Sequence, residues 1–445
     1  MKLFHTSRRN FLRQATIAAA ATGLPPWFVT QSLDAAEPAK LLSANDKPGI
    51  ALIGCGGQGR YDAKLAAAFG NIVAVCDVDT KRAAEAALQF GGAKVFNEFR
   101  KVLERDDVHA IINGTPDHWH TLINLAAMKA GKDVYSEKPL TLTIDEGRRV
   151  MQAARKSQRV FQTGSQQRSD PRFRLACELV RNGRIGTLKH IQVVLPVGKQ
   201  GGPFATAPVP TELDWDRWQG QVVARAYVPE RCHRTFRYWL DYSGGTMTDW
   251  GAHHHDIALW GADCERSGPV SIEGRRLIAP IAGGYDAPSQ YEVHYEYPNG
   301  VTQTTVSTLR NNFDGSTAPD QSKDLPEHGV KFEGGDGWIF VTRGKIEASR
   351  PELLSEPLRE RKVELYISTD HMGNFFDCIR SRKAAICDAE IGHRSVSVCH
   401  LGVLAMRLGR KLKWNPATEQ FTEDTEANGH LAREQREPYS YKMVG

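Results

Sequence analysis

The sequence predicts an α/β protein of two domains: an N-terminal doubly wound parallel sheet, and a C-terminal α+β domain with a large open, mainly antiparallel sheet. Two observations support this fold class. From Lys47 to Thr163, short apolar runs alternate with helical segments, as a parallel sheet with crossover helices requires. After Gln166 the chain is rich in strand-like runs, and residues 291–297 alternate apolar and polar side chains. With 445 residues the chain is too long for one ordinary domain.

The first crossover carries a glycine-rich turn, within Ile50–Asp79. Gly54, Gly56 and Gly59 fit the pattern G-x-G-x-x-G at the start of a helical segment. These glycines permit a tight turn, a close approach of pyrophosphate to the backbone, and close packing of helix on strand. Asp77 ends the next strand, at the distance where a carboxylate binds ribose hydroxyls. The stretch predicts a Rossmann dinucleotide-binding site; the alternative is a glycine-rich turn in an unrelated α/β protein.

Residues 1–40 have the features of an export leader. Arg8 and Arg9 lie in a motif that matches the twin-arginine pattern, and an Ala-rich apolar stretch follows at residues 15–29. This stretch is short and contains Gly and Pro, so it is a poor membrane span. We therefore expect a periplasmic protein exported by the twin-arginine machinery, which moves proteins that are already folded. The alternative is a leader of another kind, with an arginine pair that arises by chance.

The composition excludes several classes of protein. Hydrophobic residues make up 41% of the chain and charged residues 24%, which is ordinary for a globular protein. The net charge of +5 is small, so there is no electrostatic case for a nucleic-acid partner. The eight cysteines include no C-x-x-C pair, which indicates isolated apolar residues rather than a disulfide or zinc framework.

The first domain is predicted to span residues 47–165. In a doubly wound sheet, ligands bind beyond the carboxyl ends of the strands. Three predicted strand ends carry polar or rigid residues: Thr115-Pro116, Glu137-Lys138 and the segment that ends at Gln166. We expect these segments to border the dinucleotide.

The second domain is predicted to span residues 166–370. Between its first two strands lies an insertion, residues 198–261, rich in Trp, Tyr and Arg. A connection of that length is usually functional. Residues 371–445 are predicted to form C-terminal helices and a polar tail that wraps the surface.

Two segments carry residues suited to acid–base chemistry. Lys138 follows a strand and precedes Pro139, which stiffens the turn, so its ammonium group could act on a substrate hydroxyl. The alternative is an exposed lysine in a turn. In the segment from Thr248, Asp249 and His253 would share a helix face one turn apart, an arrangement that can orient an imidazole.

Three consecutive histidines, residues 253–255, also raise the possibility of a metal site. Metal-binding pairs on a helix need i, i+4 spacing, and consecutive residues cannot all reach one ion. Asp249 and His253 could supply two ligands, but no thiolate spacing accompanies them. We therefore predict no metal.

These motifs, in this order, resemble the glucose–fructose oxidoreductase / inositol dehydrogenase / rhizopine-catabolism family (Gfo/Idh/MocA). The matching segments are residues 54–59, 75–79, 115–120 and 137–139, with the pair Asp249 and His253. The resemblance covers about residues 47–410. It implies a Rossmann domain followed by a domain whose open sheet lines the substrate cleft. It also implies a homo-oligomer, either a dimer or a tetramer.

The resemblance implies roles for individual residues. Lys138 would be the general acid/base at the carbinol, with His253 as proton partner and Asp249 as the residue that orients it. The residues placed around the cofactor are Gly54, Gly56, Gly57, Gln58, Gly59, Arg60, Asp77, Thr115, Pro116, His120, Glu137 and Gln166. The candidates for substrate binding are Arg168, Trp218, Arg234, Tyr238 and His254. The negative charge of Asp77 would repel a 2′-phosphate and favours NAD over NADP, although Lys81 and Arg82 lie nearby.

The expected function is an NAD-dependent oxidoreductase that acts on a carbohydrate or cyclitol, with hydride transfer at a tightly bound nicotinamide. Aromatic residues of the insertion offer stacking faces for a sugar or serve as its core, and Arg234 or Arg237 could hold hydroxyls or a uronate. One alternative is a redox-assisted glycosidase or epimerase, in which the same cofactor is reduced and reoxidised without net oxidation. A second is a non-catalytic periplasmic sugar-binding protein.

Overall fold

The computed structural model describes residues 23–34, 47–307, 328–358 and 360–444. Helix α1 spans Pro26–Asp34. The strands of the first sheet are β1 (Gly49–Ile53), β2 (Asn71–Cys76), β3 (Lys94–Phe96), β4 (Ala110–Asn113), β5 (Asp133–Ser136) and β6 (Phe161–Thr163). The helices between them are α2 (Gly57–Ala66), α3 (Thr80–Gln89), α4 (Phe99–Leu103), α5 (Asp117–Lys129) and α6 (Ile144–Ser157).

The six strands are all parallel and lie in the order β3-β2-β1-β4-β5-β6. This is the Rossmann order, and its reversal point between β1 and β4 brings the glycine turn beside Gly114. Local signals set the helix starts. Asp79 caps α3 by accepting a hydrogen bond from the Arg82 amide at 3.0 Å, and Thr143 with Glu146 forms a capping box on α6. The predicted parallel domain is confirmed.

The second domain contains a mixed, nine-stranded sheet. Its strands are β7 (Leu188–Val194), β8 (Ser271–Arg276), β9 (Tyr291–Glu296), β10 (Thr302–Ser307), β11 (Gly329–Gly334), β12 (Gly337–Thr342), β13 (Lys345–Ala348), β14 (Leu412–Asn415) and β15 (Gln420–Phe421). The remaining helices, in chain order, are α7 (Pro171–Arg181), α8 (Trp215–Gln219), α9 (Thr246–Asp249), α10 (Gly251–Gly261), α11 (Glu352–Ser355), α12 (His371–Ser381), α13 (Ala389–Leu408) and α14 (Thr425–Gly429). Of these, α12 packs into the core of the Rossmann domain.

The order of this sheet is β13-β12-β11-β7-β10-β9-β8-β14-β15. Its pairs are antiparallel except β7 with β10, in agreement with the predicted, mainly antiparallel sheet. Tyr291, Val293 and Tyr295 on β9 are buried against the helices, as their alternation predicts. Strands β13, β14 and β15 were not predicted, because each is short and the sequence pattern there is weak.

The insertion between β7 and β8 has a small core of its own. Trp215, Trp218, Tyr227, Phe236 and Trp239 are all buried in it. The rings of Trp215 and Trp218 stack with centroids 4.8 Å apart. For most of these aromatics the structure therefore supports core packing rather than exposed stacking faces.

The segment that contains α1 is part of the folded body. The sequence analysis expected residues 1–40 to lie apart from the fold, but Phe28 is fully buried with the core of the second domain. The Arg174 guanidinium lies 4.1 Å from the centroid of the Phe28 ring, and Arg174 also donates a hydrogen bond to Ser32. Residues 26–34 therefore pack on the second domain, and the assignment of residues 1–40 to an export leader stays a prediction. The Arg8-Arg9 motif lies outside the described residues.

Within the described ranges, no helix has the length and apolar character needed to cross a membrane.

Candidate active site

The glycine turn opens α2 at the carboxyl end of the parallel sheet. Gly54 has φ +90, and a Cβ there would lie 2.5 Å from the Thr115 amide nitrogen, so only glycine fits. Gly59 is equally constrained, because its Cβ would lie 2.1 Å from the Gly54 carbonyl oxygen. By contrast, a Cβ at Gly57 would meet nothing within 4 Å. Open space therefore lies before the N-terminus of α2, where a diphosphate can approach.

Asp77 lies at the end of β2, beside this turn. Its carboxylate accepts hydrogen bonds from the amides of Cys55 at 2.7 Å and Asp79 at 2.9 Å. Burial raises the pKa of Asp77, and these two amides oppose that shift. The carboxylate is thus held at the mouth of the glycine turn, as the motif predicts.

The opposite wall of the cleft carries an ion pair between the two domains. The Lys138 Nζ atom lies 2.5 Å from Asp249 Oδ1 and donates to the Asp249 carbonyl at 3.1 Å. The Arg237 Nε atom lies 3.3 Å from the same carboxylate oxygen. Burial would raise the pKa of Asp249, but Lys138 and Arg237 outweigh burial and lower it to about 2. Asp249 is therefore ionised at neutral pH.

His253 is buried on α10, outside the lining of the cleft. Its burial, with the nearby positive charges of Lys138 and Arg343, lowers its pKa well below the usual value, so the ring is neutral at pH 7. Its Nδ1 atom is buried without a hydrogen-bond partner among the described residues. Asp249 ends α9 and His253 lies on α10, and the described hydrogen bonds do not join them. Asp249 pairs with Lys138 rather than orienting His253.

The glycine turn and the ion pair face one cleft of about 680 Å³. The sequence-predicted residues that line it are Gly54, Gly56, Gly57, Gln58, Asp77, Thr115, Pro116, Glu137, Lys138, Trp218, Arg234, Tyr238 and Asp249. The insertion forms one side because it is tied to the Rossmann domain. The Thr80 amide donates to Glu212 at 2.9 Å, and a ring nitrogen of His118 lies 2.8 Å from the Trp218 carbonyl oxygen.

Other predicted site residues lie outside the cleft lining. Arg168 is 2% exposed and forms a two-point ion pair with Asp256, at 2.7 and 2.8 Å, and a further bond to Glu265. Its Nε, Nη1 and Nη2 atoms all bond this buried charge cluster, so the structure places Arg168 away from the cleft lining, contrary to its assignment to substrate binding. Arg60 pairs with Glu85 at 3.2 Å on the outer face of α2. It lies away from the cleft because the helix turns it outward.

Three more predicted residues support the cleft from behind. His254 is fully buried, and its Nε2 atom lies 3.1 Å from a ring nitrogen of His328, on the far side of Trp250. His254 was predicted to contact substrate, but this position keeps it away from the cleft. His120 lies between the carbonyl oxygens of Thr115 and Pro139, each at 2.8 Å, and holds the two loops together. Gln166 donates to Glu137 Oε1 at 2.9 Å.

The structure adds cleft residues that sequence reasoning missed. They are Arg82, Phe99, Asp117, Trp119, His233, Trp250, Tyr439 and Met443. Asp117 and Trp119 lie within the 115–120 motif and could have been found from it. Tyr439 and Met443 carry no local signal, because the fold of the tail alone brings them to the cleft.

Among the described residues, no group of three or more His, Cys, Asp or Glu side chains is placed to hold a metal ion. A dinucleotide, by contrast, fits the donor set: open space and free amides at the start of α2, and a carboxylate at the end of β2. The opposite ion pair lies where the reactive ring would meet a substrate.

Fold and site together define a two-domain protein with a dinucleotide-binding cleft between a Rossmann domain and a mixed-sheet domain. Residues 49–165 match the family model described as "Oxidoreductase family, NAD-binding Rossmann fold". Residues 195–318 and 321–441 match the description "Oxidoreductase family, C-terminal alpha/beta domain". The chain belongs to the Gfo/Idh/MocA oxidoreductase family, and its N-terminal domain is the NAD-binding domain of that family.

Curated relatives include Inositol 2-dehydrogenase 2 of Saccharopolyspora erythraea, 30% identical over 41% of this chain and 57% of the relative. The scyllo-inositol 2-dehydrogenase (NAD(+)) of Bacillus subtilis is 27% identical over 56% of this chain and 64% of the relative. Both alignments cover less than two thirds of the relative. A solved levoglucosan dehydrogenase in complex with NADH and levoglucosan has a TM-score of 0.60 at 17% identity, covering 83% of this chain and 99% of that one. It supports the same fold.

Proposed function

We propose that this protein is an NAD-dependent oxidoreductase of a carbohydrate or cyclitol, with Lys138 as its acid/base. The observation that carries the proposal is the Lys138–Asp249 ion pair, which faces the glycine turn across one cleft. Relatives named inositol dehydrogenases and a fold neighbour named levoglucosan dehydrogenase support a polyhydroxylated substrate. Bound NAD supplies the acceptor of two electrons from the carbinol carbon.

The side chains of the cleft suit proton transfer at the substrate oxygen. The Lys138 ammonium group donates a proton to a carbonyl oxygen, or stabilises the oxygen of an alcohol that loses its proton. Asp249 stays ionised and fixes the position of the Lys138 Nζ atom. His253 is proposed as its proton partner from the family resemblance; because burial and the charges of Lys138 and Arg343 lower the pKa of His253 well below the usual value, the ring would pass a proton on rather than keep it.

Substrate hydroxyls have three candidate partners on the insertion side. Tyr238 and Trp218 present rings to the cleft. Arg234 also lines it, and its side chain has no ion-pair partner among the described residues. We expect Arg234→Ala to raise KM for the sugar about 10-fold with little change in NAD content.

A closed redox cycle is a second candidate, because the insertion closes one side of the cofactor cleft. In such a cycle the bound cofactor takes a hydride from the substrate and later returns it to the same substrate. Between these steps a glycosidic group is eliminated and water added, or a carbon is epimerised, so there is no net oxidation. The test uses native holoprotein with a panel of sugars, cyclitols and aryl glycosides. Persistent reduced nicotinamide supports a dehydrogenase half-reaction. Aglycone release without it supports the closed cycle, and neither signal on any compound would refute both.

Export by the twin-arginine route to the periplasm is also proposed, from the Arg8-Arg9 motif alone. A full-length chain in which both arginines are replaced by lysine should remain in the cytoplasm, while the wild type is recovered from the periplasm. Equal distribution of the two would rule out this route. A homo-oligomer, dimer or tetramer, is likewise proposed, and light scattering of the holoprotein tests it.

A further inference from the structure

Past Asp77 the cleft is lined by aromatic and apolar side chains together with Asn97, Glu98 and Arg217. Its walls there are Phe99 after β3, and Trp119 and Ile123 on α5. The rings of Phe99 and Trp119 pack edge to face with centroids 5.9 Å apart. Two residues from the far end of the chain, Tyr439 and Met443, complete this part of the lining.

The C-terminal tail is fastened at this place by the insertion. Asp216 on α8 accepts a hydrogen bond from Arg436 at 2.6 Å through one oxygen, and from the Tyr439 hydroxyl at 2.8 Å through the other. The Arg436 amide also donates to the Gln221 carbonyl at 2.8 Å. The Tyr439 ring in turn packs edge to face on Trp119, with centroids 5.8 Å apart. Insertion, tail and Rossmann helix thus meet at one end of the cleft.

The position of Asp77 identifies which half of the cofactor this end would receive. A carboxylate at the end of the second strand binds the adenosine ribose, so the base attached to that ribose lies beyond it. The reactive end lies in the opposite direction, at Lys138. An aromatic and apolar pocket beyond the ribose suits the flat face of adenine.

We propose that Tyr439 and Met443 bind the adenine ring, and that the tail is a clasp, fastened by Arg436 to Asp216, that slows release of NAD. This inference rests on the proposed binding of NAD in this cleft, and a slowly released cofactor is what the closed redox cycle requires. Tyr439 and Met443 act as binding residues, whereas Asp216 and Arg436 are positioning residues. The clasp accounts for the tail crossing from the second domain to the nucleotide-binding one.

The test compares full-length holoprotein variants Arg436→Ala, Tyr439→Ser and Met443→Ala with the wild type. The matched control is Lys442→Ala, in the same tail, whose ammonium is exposed and pairs with Glu437. The release rate of NADH is followed by its fluorescence while excess NAD replaces it. We expect release at least about 10-fold faster in all three variants and an unchanged rate in the control.

A second measurement separates a binding role from general loosening of the fold. On protein stripped of cofactor, the Kd for ADP should rise about 10-fold in Tyr439→Ser and Met443→Ala, with the Kd for nicotinamide mononucleotide unchanged. Tyr439→Phe, which keeps the ring but loses the bond to Asp216, should keep ADP affinity and still release NADH faster. The clasp would be overturned if the variants bound ADP and nicotinamide mononucleotide equally more weakly. It would also be overturned if the variants released NADH at the wild-type rate. A wild type that itself loses NAD on dialysis would instead refute the closed redox cycle.

Discussion

The Lys138 Nζ atom lies 2.5 Å from Asp249 Oδ1, and the two residues come from different domains. Lys138 follows β5 of the Rossmann sheet, whereas Asp249 ends α9 at the edge of the second domain. The ion pair therefore fixes the position of the acid/base group relative to both the cofactor side and the substrate side. Its burial makes the geometry matter, because a charged pair shielded from water depends strongly on distance.

Replacing Lys138 by Met should remove acid/base chemistry without emptying the cofactor site. We expect kcat to fall about 10²- to 10⁴-fold, the usual contribution of a positioned proton donor. The NAD content of the purified variant should match the wild type, because Lys138 lies at the reactive end of the cleft. Lys101→Ala, an exposed lysine on α4 that pairs with Glu104, is the matched control. A Lys138→Met enzyme with normal kcat would exclude Lys138 as the acid/base.

Local sequence signals predicted most of the first domain. Gly54 and Gly59 occupy positions where a side chain would clash with backbone, and the short spacing between them makes the glycine motif recognisable in the sequence. Asp79 and Thr143 cap helices through contacts within a few residues. Strand order follows because parallel strands with short crossovers have few allowed arrangements.

The residues that were assigned wrongly depend on partners far away in the chain. Arg168 was expected near substrate, but its guanidinium group forms ion pairs with Asp256 and Glu265, about 90 residues later in the chain. His254 was expected at the cleft, but its ring nitrogen lies within hydrogen-bond distance of His328, 74 residues later. Tyr439 reaches the cleft only because Asp216 holds the tail. No local pattern specifies such contacts, so a single sequence could not reveal them.

Replacing Asp77 by Asn should relax the preference for NAD over NADP. Asp77 lines the cleft at the end of β2, where the carboxylate of a Rossmann fold binds the adenosine ribose and would repel a 2′-phosphate, and Arg82 lies in the same cleft wall. We expect the ratio of NADPH to NADH affinity to rise at least about 10-fold. The check is fluorescence titration of stripped protein with each reduced cofactor. An unchanged affinity ratio would show that another group selects the cofactor. Asp106→Asn, on an exposed turn, is the control and should leave the ratio at the wild-type value.

Replacing Arg168 by Leu should destabilise the protein rather than weaken substrate binding. The change leaves Asp256 without its cation and Glu265 with Arg181 alone, at 3.9 Å, and loss of one partner of a buried pair costs about 3–5 kcal/mol. Tm should fall by several degrees, while KM of the folded fraction stays at the wild-type value. The double variant Arg168→Leu with Asp256→Leu should recover part of the loss. A raised KM at unchanged Tm would restore Arg168 to the substrate site.

Asp117 gives the protein a pH-dependent stability. It is 3% exposed in the cleft wall and accepts a hydrogen bond from Ser243 Oγ at 2.5 Å. Burial raises its pKa to about 7, against the opposing charge of Arg237. The folded state therefore keeps this proton to a higher pH than the unfolded chain, where the pKa is about 3.9. Stability is lost as pH rises between these two values, and the full loss, roughly 4 kcal/mol, is reached above pH 7.

Asp117→Asn removes this dependence because an amide does not titrate. The free energy of unfolding of the variant, minus that of the wild type, should increase by about 2–3 kcal/mol between pH 5 and pH 8. Denaturant unfolding at several pH values, with cofactor stripped from both proteins, measures this difference. Asp106→Asn should show no such increase, since its carboxylate is exposed. If the Asp117→Asn difference were the same at pH 5 and pH 8, Asp117 would be ionised in the folded protein throughout that range, with Arg237 and Ser243 outweighing its burial.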